Sequence, residues 1–547
     1  MKFIKLTIIL IFFFQINTYS SSASDTLTVQ TFTFDDIEKR RGIFLFPEND
    51  DTYLKIIMVR TLKCDKRTTQ DKYPCGEWDY STNTVVYVSK DSIEERFELE
   101  GFVTPYGKGL DLNGECGFSW FYDITDFEPL LKGKVDISSG NIQELLDMKF
   151  IFIKGTPPRN VIDIKNIYPL GHYKYQNLAD DDTLKQVILP LRKDAFGYKL
   201  RARISGHGHF GPRNCCEWDS KTHTYYTHGQ VLYRWNVWKD CGYNPVYPQG
   251  GTWQFDRAGW CPGTPVDTYD FELTEKVMPG DTLEFDYGIE QYSDNGEKDG
   301  EFRMSHQLFS YGKPNFKNDA AVVDIISPSS KDIYGRINTS SKHPIIEIQN
   351  TGKNTLYSLD IEYGIVDGEK KSYHWVGKLE FLEKESVNLS DLNWSELSKS
   401  SEFFAEIKKA NGAEDDYSDN NIMTSKVDLP IILPSKFIIH IETNDKDRAK
   451  ENSYTVTDQN GKIFFEREVF EDDTTYDDVI ELMQGSYEFR LTDKYQDGMI
   501  RHWWYYSSDK EKVGKNGRIA IMDLNKKVIK ELKFDFADEL NLQFVVR

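Results

Sequence analysis

Tyr53-Leu54-Lys55-Ile56-Ile57-Met58-Val59-Arg60-Thr61-Leu62 is a short run of β-branched, aromatic and long apolar side chains, preceded by Asn49-Asp50-Asp51 and followed by Cys64-Asp65. A run of that length between turn formers reads as a strand. The same pattern recurs at Leu27 to Phe34, Thr84 to Val88, Lys149 to Ile153, Lys199 to Ile204 and Thr282 to Tyr287, with Gly, Pro, Asn and Asp between the runs. Helical periodicity barely shows, and Ile142 to Leu146 is the one modest candidate. Sheets packed on sheets follow, so the fold class is all-β. Strands spread from Leu27 to Tyr311 suggest two sandwiches side by side, with a boundary near Asn177 to Thr183.

Beyond them, the polar stretch Gly312 to Asp319 reads as a linker. Ile345, Glu347 and Gln349 then alternate before the turn Asn350-Thr351-Gly352, and more strands follow at Leu356 to Ile365 and Tyr373 to Leu379. This smaller unit resembles the immunoglobulin-like spacer modules that follow catalytic domains in secreted bacterial enzymes. A last unit begins with Phe437 to Thr443 and ends with Leu540 to Val546, again strands. The expected division is a leader over 1–24, sandwiches over 25–180 and 181–312, and two smaller β-sandwiches over 320–430 and 434–547. In the last unit, Asp493 to Gly498 is loosely like a calcium loop but lacks spaced oxygen ligands, so a tight turn is expected. The run His502-Trp503-Trp504-Tyr505-Tyr506 could face sugar rings, although aromatic clusters in small sandwiches are more often core.

The first residues carry Lys2 and Lys5, an apolar stretch from Leu6 to Phe14 broken by Thr7, and small residues at Ser22-Ala23-Ser24. That is a cleavable secretory signal, too short to span a membrane. No later segment runs 18 apolar residues without charge, so a secreted or periplasmic monomer with no membrane insertion is expected. The chain has 547 residues, enough for three or four domains. Its formal charge of -21 disfavours nucleic acid and anionic lipid as partners. All seven cysteines fall between Cys64 and Cys261, and export permits disulfides there. The odd number leaves one unpaired. Cys215 and Cys216 are adjacent and not expected to bond each other, so one of them is the candidate.

A pentapeptide occurs twice, as Cys75-Gly76-Glu77-Trp78-Asp79 and Cys215-Cys216-Glu217-Trp218-Asp219. In extended chain, Glu77 and Asp79 would share a face, as would Glu217 and Asp219. If the two halves meet there, four acids converge. Crowded carboxylates split their proton affinities, which separates a base from an acid; the plainer reading is two solvent-facing or calcium-binding acid pairs. In Trp253-Gln254-Phe255-Asp256-Arg257-Ala258-Gly259-Trp260-Cys261-Pro262-Gly263, Arg257 offers a planar fork to a carboxylate or carbonyl, and Trp260 a flat surface to a sugar or peptide.

Taken in order, these segments resemble the peptide-N-glycosidase F family. The others that carry the resemblance are Phe102-Val103-Thr104-Pro105-Tyr106, Ile124-Thr125-Asp126-Phe127, Ile204-Ser205-Gly206-His207-Gly208-His209 and Thr222-His223-Thr224. It covers about residues 30–312. The resemblance implies two adjacent eight-stranded antiparallel jelly rolls with the active site in the cleft between them. It also implies hydrolysis of the amide joining asparagine to the innermost N-acetylglucosamine of an N-glycan, without metal or cofactor. N-glycosylated proteins or glycopeptides would be the partners. By position, Asp79 takes the place of the principal catalytic carboxylate and Glu217 that of an acid meeting substrate and water. Arg257, Trp260, Glu77, Trp78, His207 and His209 fall in the cleft as substrate-binding residues, with Arg257 positioned to stabilise charge on the carbonyl oxygen. The matching pattern pairs Cys64 with Cys75 and Cys241 with Cys261.

The chain departs from the family at three points. Met148 to Gly155 carries no acid where the family has a further functional Glu. His207 replaces a Trp between two glycines. Asp219 replaces a cysteine, which leaves Cys116 to pair with Cys215 or Cys216. Two alternatives follow. One is a glycan-binding protein that keeps the cleft without turnover. The other is a metal enzyme of the copper-monooxygenase kind using His207, His209, His223 and His228, although His209 and His223 fall where the metal-free family also has histidine.

Overall fold

A computed structural model describes residues 26–547, other than 49–50, 69–72, 91–92, 141–142, 210–214, 292–299, 338–341, 395–396, 398–399 and 501–513. The leader and the aromatic run His502 to Tyr506 lie outside the described residues. The described chain is built of antiparallel sheets, as expected. Its one parallel pairing joins Ile431–Leu433 to Glu539–Val546. Among the described residues no helix is long and apolar enough to cross a membrane.

The run quoted first is the strand Tyr53–Lys63, flanked by Leu145–Lys154 and Phe118–Asp123, with Thr26–Phe32 at the edge. Ile56, Met58 and Leu62 face inward with Phe32, Phe150 and Trp120. Its other face is apolar too, because Ile57 and Val59 lie beside Ile151 and Ile153. Ala320–Ser327 covers that face, leaving a cavity of about 330 Å³ lined by Ile57, Ile151, Ile153, Val323 and Ile325. The opposing sheet runs Ile93–Val103, Ser81–Lys90, Lys134–Ser139 and Arg41–Leu45, and Thr264–Pro265 from the second half adds a short edge to it.

Of the stretch Ile142 to Leu146, in which a helix is considered, the described residues 143–146 form none. Leu145 and Leu146 open a strand paired with Lys63 and Leu62, where both are buried, so burial on the sheet overrides local helical pattern. Among the described residues the α-helix lies instead at Tyr175–Ala179.

The second pair of sheets is Val187–Pro190, Thr282–Ile289, Lys221–Thr227 and Gln230–Val237 against Thr268–Glu272, Gly197–His207, Glu301–Pro314 and Arg159–Lys174. Arg159–Lys174 precedes the expected boundary at Asn177 to Thr183 yet pairs with Glu301–Pro314. The strand Gly197–His207 shows how the halves are joined. Tyr198, Leu200, Ala202 and Ile204 point into the second core. The alternate residues Lys199, Arg201 and Arg203 point to the first half, where Lys199 and Arg201 reach Asp126 at 2.6 and 2.8 Å and Arg203 donates to Glu98 O at 3.1 Å. Glu301–Pro314 does the same with apolar side chains: Phe302, Met304 and Leu308 enter the second core, Phe309 and Tyr311 the first.

Two further cores follow, one within 320–427 and one within 433–546. A three-stranded and a four-stranded sheet enclose the former, a five-stranded and a four-stranded sheet the latter.

Candidate active site

Both pentapeptides lie in turns rather than strands, immediately before Ser81–Lys90 and Lys221–Thr227. The strand alternation expected for their carboxylates therefore does not apply. Cross-links and backbone hydrogen bonds hold them instead.

The first turn is tied by the Cys64–Cys75 disulfide. Gln143 Nε2 donates to Cys75 O at 2.9 Å and Pro105 O at 3.1 Å. Gly76 has φ +81° and a Cβ there would run into Gln143, so only glycine fits. Tyr80 is latched to Thr104, whose Oγ1 accepts the Tyr80 N–H at 2.9 Å while Tyr80 O accepts the Thr104 N–H at 2.9 Å. Asp79 is thus fixed against the segment that carries Tyr106.

The second turn is folded onto the strand Gly197–His207 and the loop 252–263. Gly208 O accepts the N–H groups of Cys216 and Glu217 at 3.0 and 2.9 Å, and Ala258 N donates to Glu217 O at 3.0 Å. Gly206 N donates to Ala258 O at 2.9 Å, and Trp260 Nε1 to Gly206 O at 2.7 Å. The three motifs are one hydrogen-bonded unit.

Arg257 occupies its centre with no exposed surface. Its Nε donates to Glu217 Oε1 at 3.2 Å. Nη1 donates to Phe255 O at 2.7 Å, and Nη2 to Thr252 O and Oγ1 at 2.7 and 2.8 Å. Trp218 and Trp260 cover the guanidinium at 4.4 and 4.8 Å. Burial pushes the Glu217 carboxyl up to about 7, with Arg257 opposing and Asp79 adding to the rise. Burial also pushes Asp79 up, and Arg257 draws it part of the way back. One buried cation thus serves two carboxylates from the two halves of the molecule.

Asp79 and Glu217 share this field. Asp219 is paired to Lys221, and Glu77 is half-buried. Trp78 is 60% exposed and Trp218 partly so. Trp260 is buried beneath His207, with the rings stacked at 5.1 Å. Trp260 and Arg257 therefore back the site rather than face solvent. His207 Nε2 lies 3.2 Å from Ser81 Oγ and 2.9 Å from Ser205 Oγ. His209 is exposed beyond Gly208, whose φ of +83° ends the strand alternation. His223 is buried against the Tyr287 hydroxyl at 2.7 Å and His228 lies near Glu284, so His207, His223 and His228 each have different partners.

The cysteines correct one expectation. Cys64–Cys75 and Cys241–Cys261 are bonded, but Cys215 bonds Cys216 and Cys116 stays free. Cys116 sits exposed in the 3-10 turn Gly114–Cys116 of the first half, while Cys215 and Cys216 are sealed in the second core.

Sequence reading gave no role to Thr252 or Tyr106. Burial and Asp79 raise the Tyr106 phenol, whose hydroxyl is hydrogen-bonded to Thr252, so Thr252 anchors both the tyrosine and Arg257. No spacing rule links residues that far apart in the chain. Met148 to Gly155 holds no acid; on the strand Ile93–Val103 of the opposing sheet, Glu98 is buried against Ser305 and Asn83.

Residues 174–309 match the family described as peptide-N-glycosidase F, C terminal. The chain is 28% identical over 333 residues to the peptide-N(4)-(N-acetyl-beta-D-glucosaminyl)asparagine amidase F of Elizabethkingia miricola, a match spanning 56% of this chain and 90% of that protein. Over 56% of its length, spanning both sandwiches, this chain is similar to a peptide-N-glycosidase F. It is accordingly placed among the amidohydrolases. The solved PNGase F of Flavobacterium meningosepticum is 25% identical, with a TM-score of 0.42, over 52% of this chain and 96% of its own. PNGF-II is 16% identical, with a TM-score of 0.41, over 53% of this chain and 65% of its own.

Proposed function

We propose that the chain is an exported amidase that hydrolyses the bond between an asparagine side chain and the first N-acetylglucosamine of an N-glycan. The observation that carries this is the pair Asp79 and Glu217, delivered by separate halves and poised around one buried guanidinium. Amide hydrolysis needs a base for water and an acid for the departing nitrogen. Ionised Asp79 takes a proton from water as its oxygen bonds the side-chain carbonyl carbon. Glu217, which keeps its proton to near neutral pH, gives it to the nitrogen as the carbon–nitrogen bond breaks. The products are aspartate in the peptide and a glycosylamine, which water converts to free glycan and ammonia.

Arg257 acts through the carboxylates, because its nitrogens are committed to Thr252, Phe255 and Glu217. Exposed Trp78 and the open edge of Trp218 give sugar rings flat apolar faces beside the acids. Three disulfides suit the oxidising compartment that exported N-glycoproteins occupy.

The test is incubation of a denatured N-glycoprotein with the mature chain, followed by mass analysis of peptide and glycan. Intact glycan and conversion of Asn to Asp are expected. Asp79→Asn should lower turnover by about a hundred- to ten-thousand-fold with folding unchanged. Glycoprotein captured but never cleaved would replace hydrolysis with a glycan-binding role, and full activity in Asp79→Asn would remove Asp79 from the chemistry.

A further inference from the structure

The inward row of the C-terminal sandwich ends on buried charge. In the strands Asn452–Asp458 and Gly485–Asp493, Val456 faces Phe489 and Tyr454 faces Leu491 across the ladder, all four in the core. The next rung in the same row is Asn452 opposite Asp493, only 1% and 7% exposed. Residues opposite each other in an antiparallel pair share a face, so an amide and a carboxylate close the apolar stripe side by side.

Asp493 Oδ1 accepts the N–H groups of Tyr495 and Asp497 at 2.8 and 3.2 Å. Its Oδ2 is buried with no hydrogen-bond partner. Asp497, returned by the turn before Gly498 at φ +61°, also has one oxygen buried and unpartnered. Glu451 adds a third carboxylate, and ligand oxygens of the three lie within 4.8 Å of one another. Asn452 contributes independently. Its amide nitrogen donates to Arg448 O at 3.3 Å, while its amide oxygen is buried without a donor on the face it shares with Asp493.

Arg448 is the local countercharge. It pairs with Asp497 and donates to Ile500 O at 2.9 Å, while Lys450, which also acts on Glu451, is itself paired to Asp447. Buried charge of this kind calls for neutralisation.

We propose that Glu451, Asp493, Asp497 and the amide oxygen of Asn452 bind a hard divalent cation, with calcium preferred. The donors are all oxygen, without His or Cys, which selects hard ions. Carboxylates free to bind through one or both oxygens suit the loose coordination of calcium better than the strict octahedron of magnesium. The ion would pin the 493–498 turn to Glu451 at the end of the sandwich.

Equilibrium dialysis of the full mature chain against calcium should retain about one ion per molecule through this site. Asp493→Asn and, separately, Glu451→Gln should each weaken retention at least about tenfold. Glu451 is the more exposed of the two, so its variant keeps the test open if Asp493→Asn fails to fold. Chelator should lower the unfolding midpoint of the wild type by about 5 °C, restored by calcium and not by equal magnesium. No retained calcium at about millimolar free ion, or wild-type retention in both folded variants, overturns the site. Magnesium binding as tightly overturns the preference.

Discussion

A guanidinium with no surface in water must find an acceptor for its N–H groups, and Arg257 finds them at Thr252, Phe255 and Glu217. Its charge is then available to both carboxylates without being spent on solvent. Even so, burial outweighs that charge at Glu217, whose carboxyl stands at about 7 against an ordinary 4.5. Between those values an unfolded chain has released the proton that the folded chain keeps. Stability conferred by this group is therefore full below about 4.5, falls as pH rises, and levels off above about 7. Glu217→Gln carries no such titration. Its stability relative to wild type should rise across that window by about 2–3 kcal/mol, measured by urea unfolding at pH 4.5 and pH 8. A constant difference at both pH values would show that Glu217 is not held protonated. The same substitution should flatten the acidic-proton limb of the rate profile at neutral pH.

The strand Gly197–His207 carries a function on each face. Its apolar residues build the second core, and Lys199, Arg201 and Arg203 weld the halves, ending at Ser205 and His207 beside the site. Gly206 lies in the apolar row just where the second pentapeptide crosses. A Cβ there would enter the carbonyl of Cys216 and approach Ala258 Cβ to 2.8 Å. Gly206→Ala should cost about 1–3 kcal/mol and lower activity more than that loss of folded protein accounts for, because the displaced turn carries Glu217. Unfolding curves and initial rates on the same preparation separate the two. The strand over Lys199 to Ile204 was legible from the residues alone, as was the strand Tyr53–Lys63, whereas the two destinations of the former's alternate side chains were not. The pentapeptides stood out as a repeat and were misread as strands. Gly76 with its positive φ and the adjacent pair Cys215–Cys216 sit in turns set by Gln143, Gly208 and Ala258, contacts that come from distant parts of the chain. Tyr106 and Thr252 stayed unread for the same reason, since only tertiary folding brings them together.

At the scale of the molecule, the last sandwich reaches back to the site. Arg336 donates to Asn244 O at 2.6 Å and to Phe536 O and Glu539 O at 2.8 and 2.9 Å, and lies 3.8 Å from the Tyr247 ring. Asp535 is hydrogen-bonded to Trp253, the neighbour of the Thr252 that holds Arg257. The loop 241–254 is therefore clamped between the second jelly roll and the C-terminal unit. Arg336→Met removes three donors from buried carbonyls and should cost about 2–4 kcal/mol, seen as a lower denaturation midpoint together with reduced turnover, although it touches neither carboxylate. Unchanged turnover in the folded variant would mean that the clamp does not reach Arg257. A second seam joins the first jelly roll to the third unit, where Asp332 accepts from Asn113 Nδ2 at 2.9 Å and from Ser119 N at 2.8 Å. Cys116, the sole unbonded cysteine, stands exposed in the turn that follows Asn113. A maleimide dye would find one address on the native molecule, and its anisotropy would tell an observer, in real time, whether that joint stays shut when an N-glycoprotein is added.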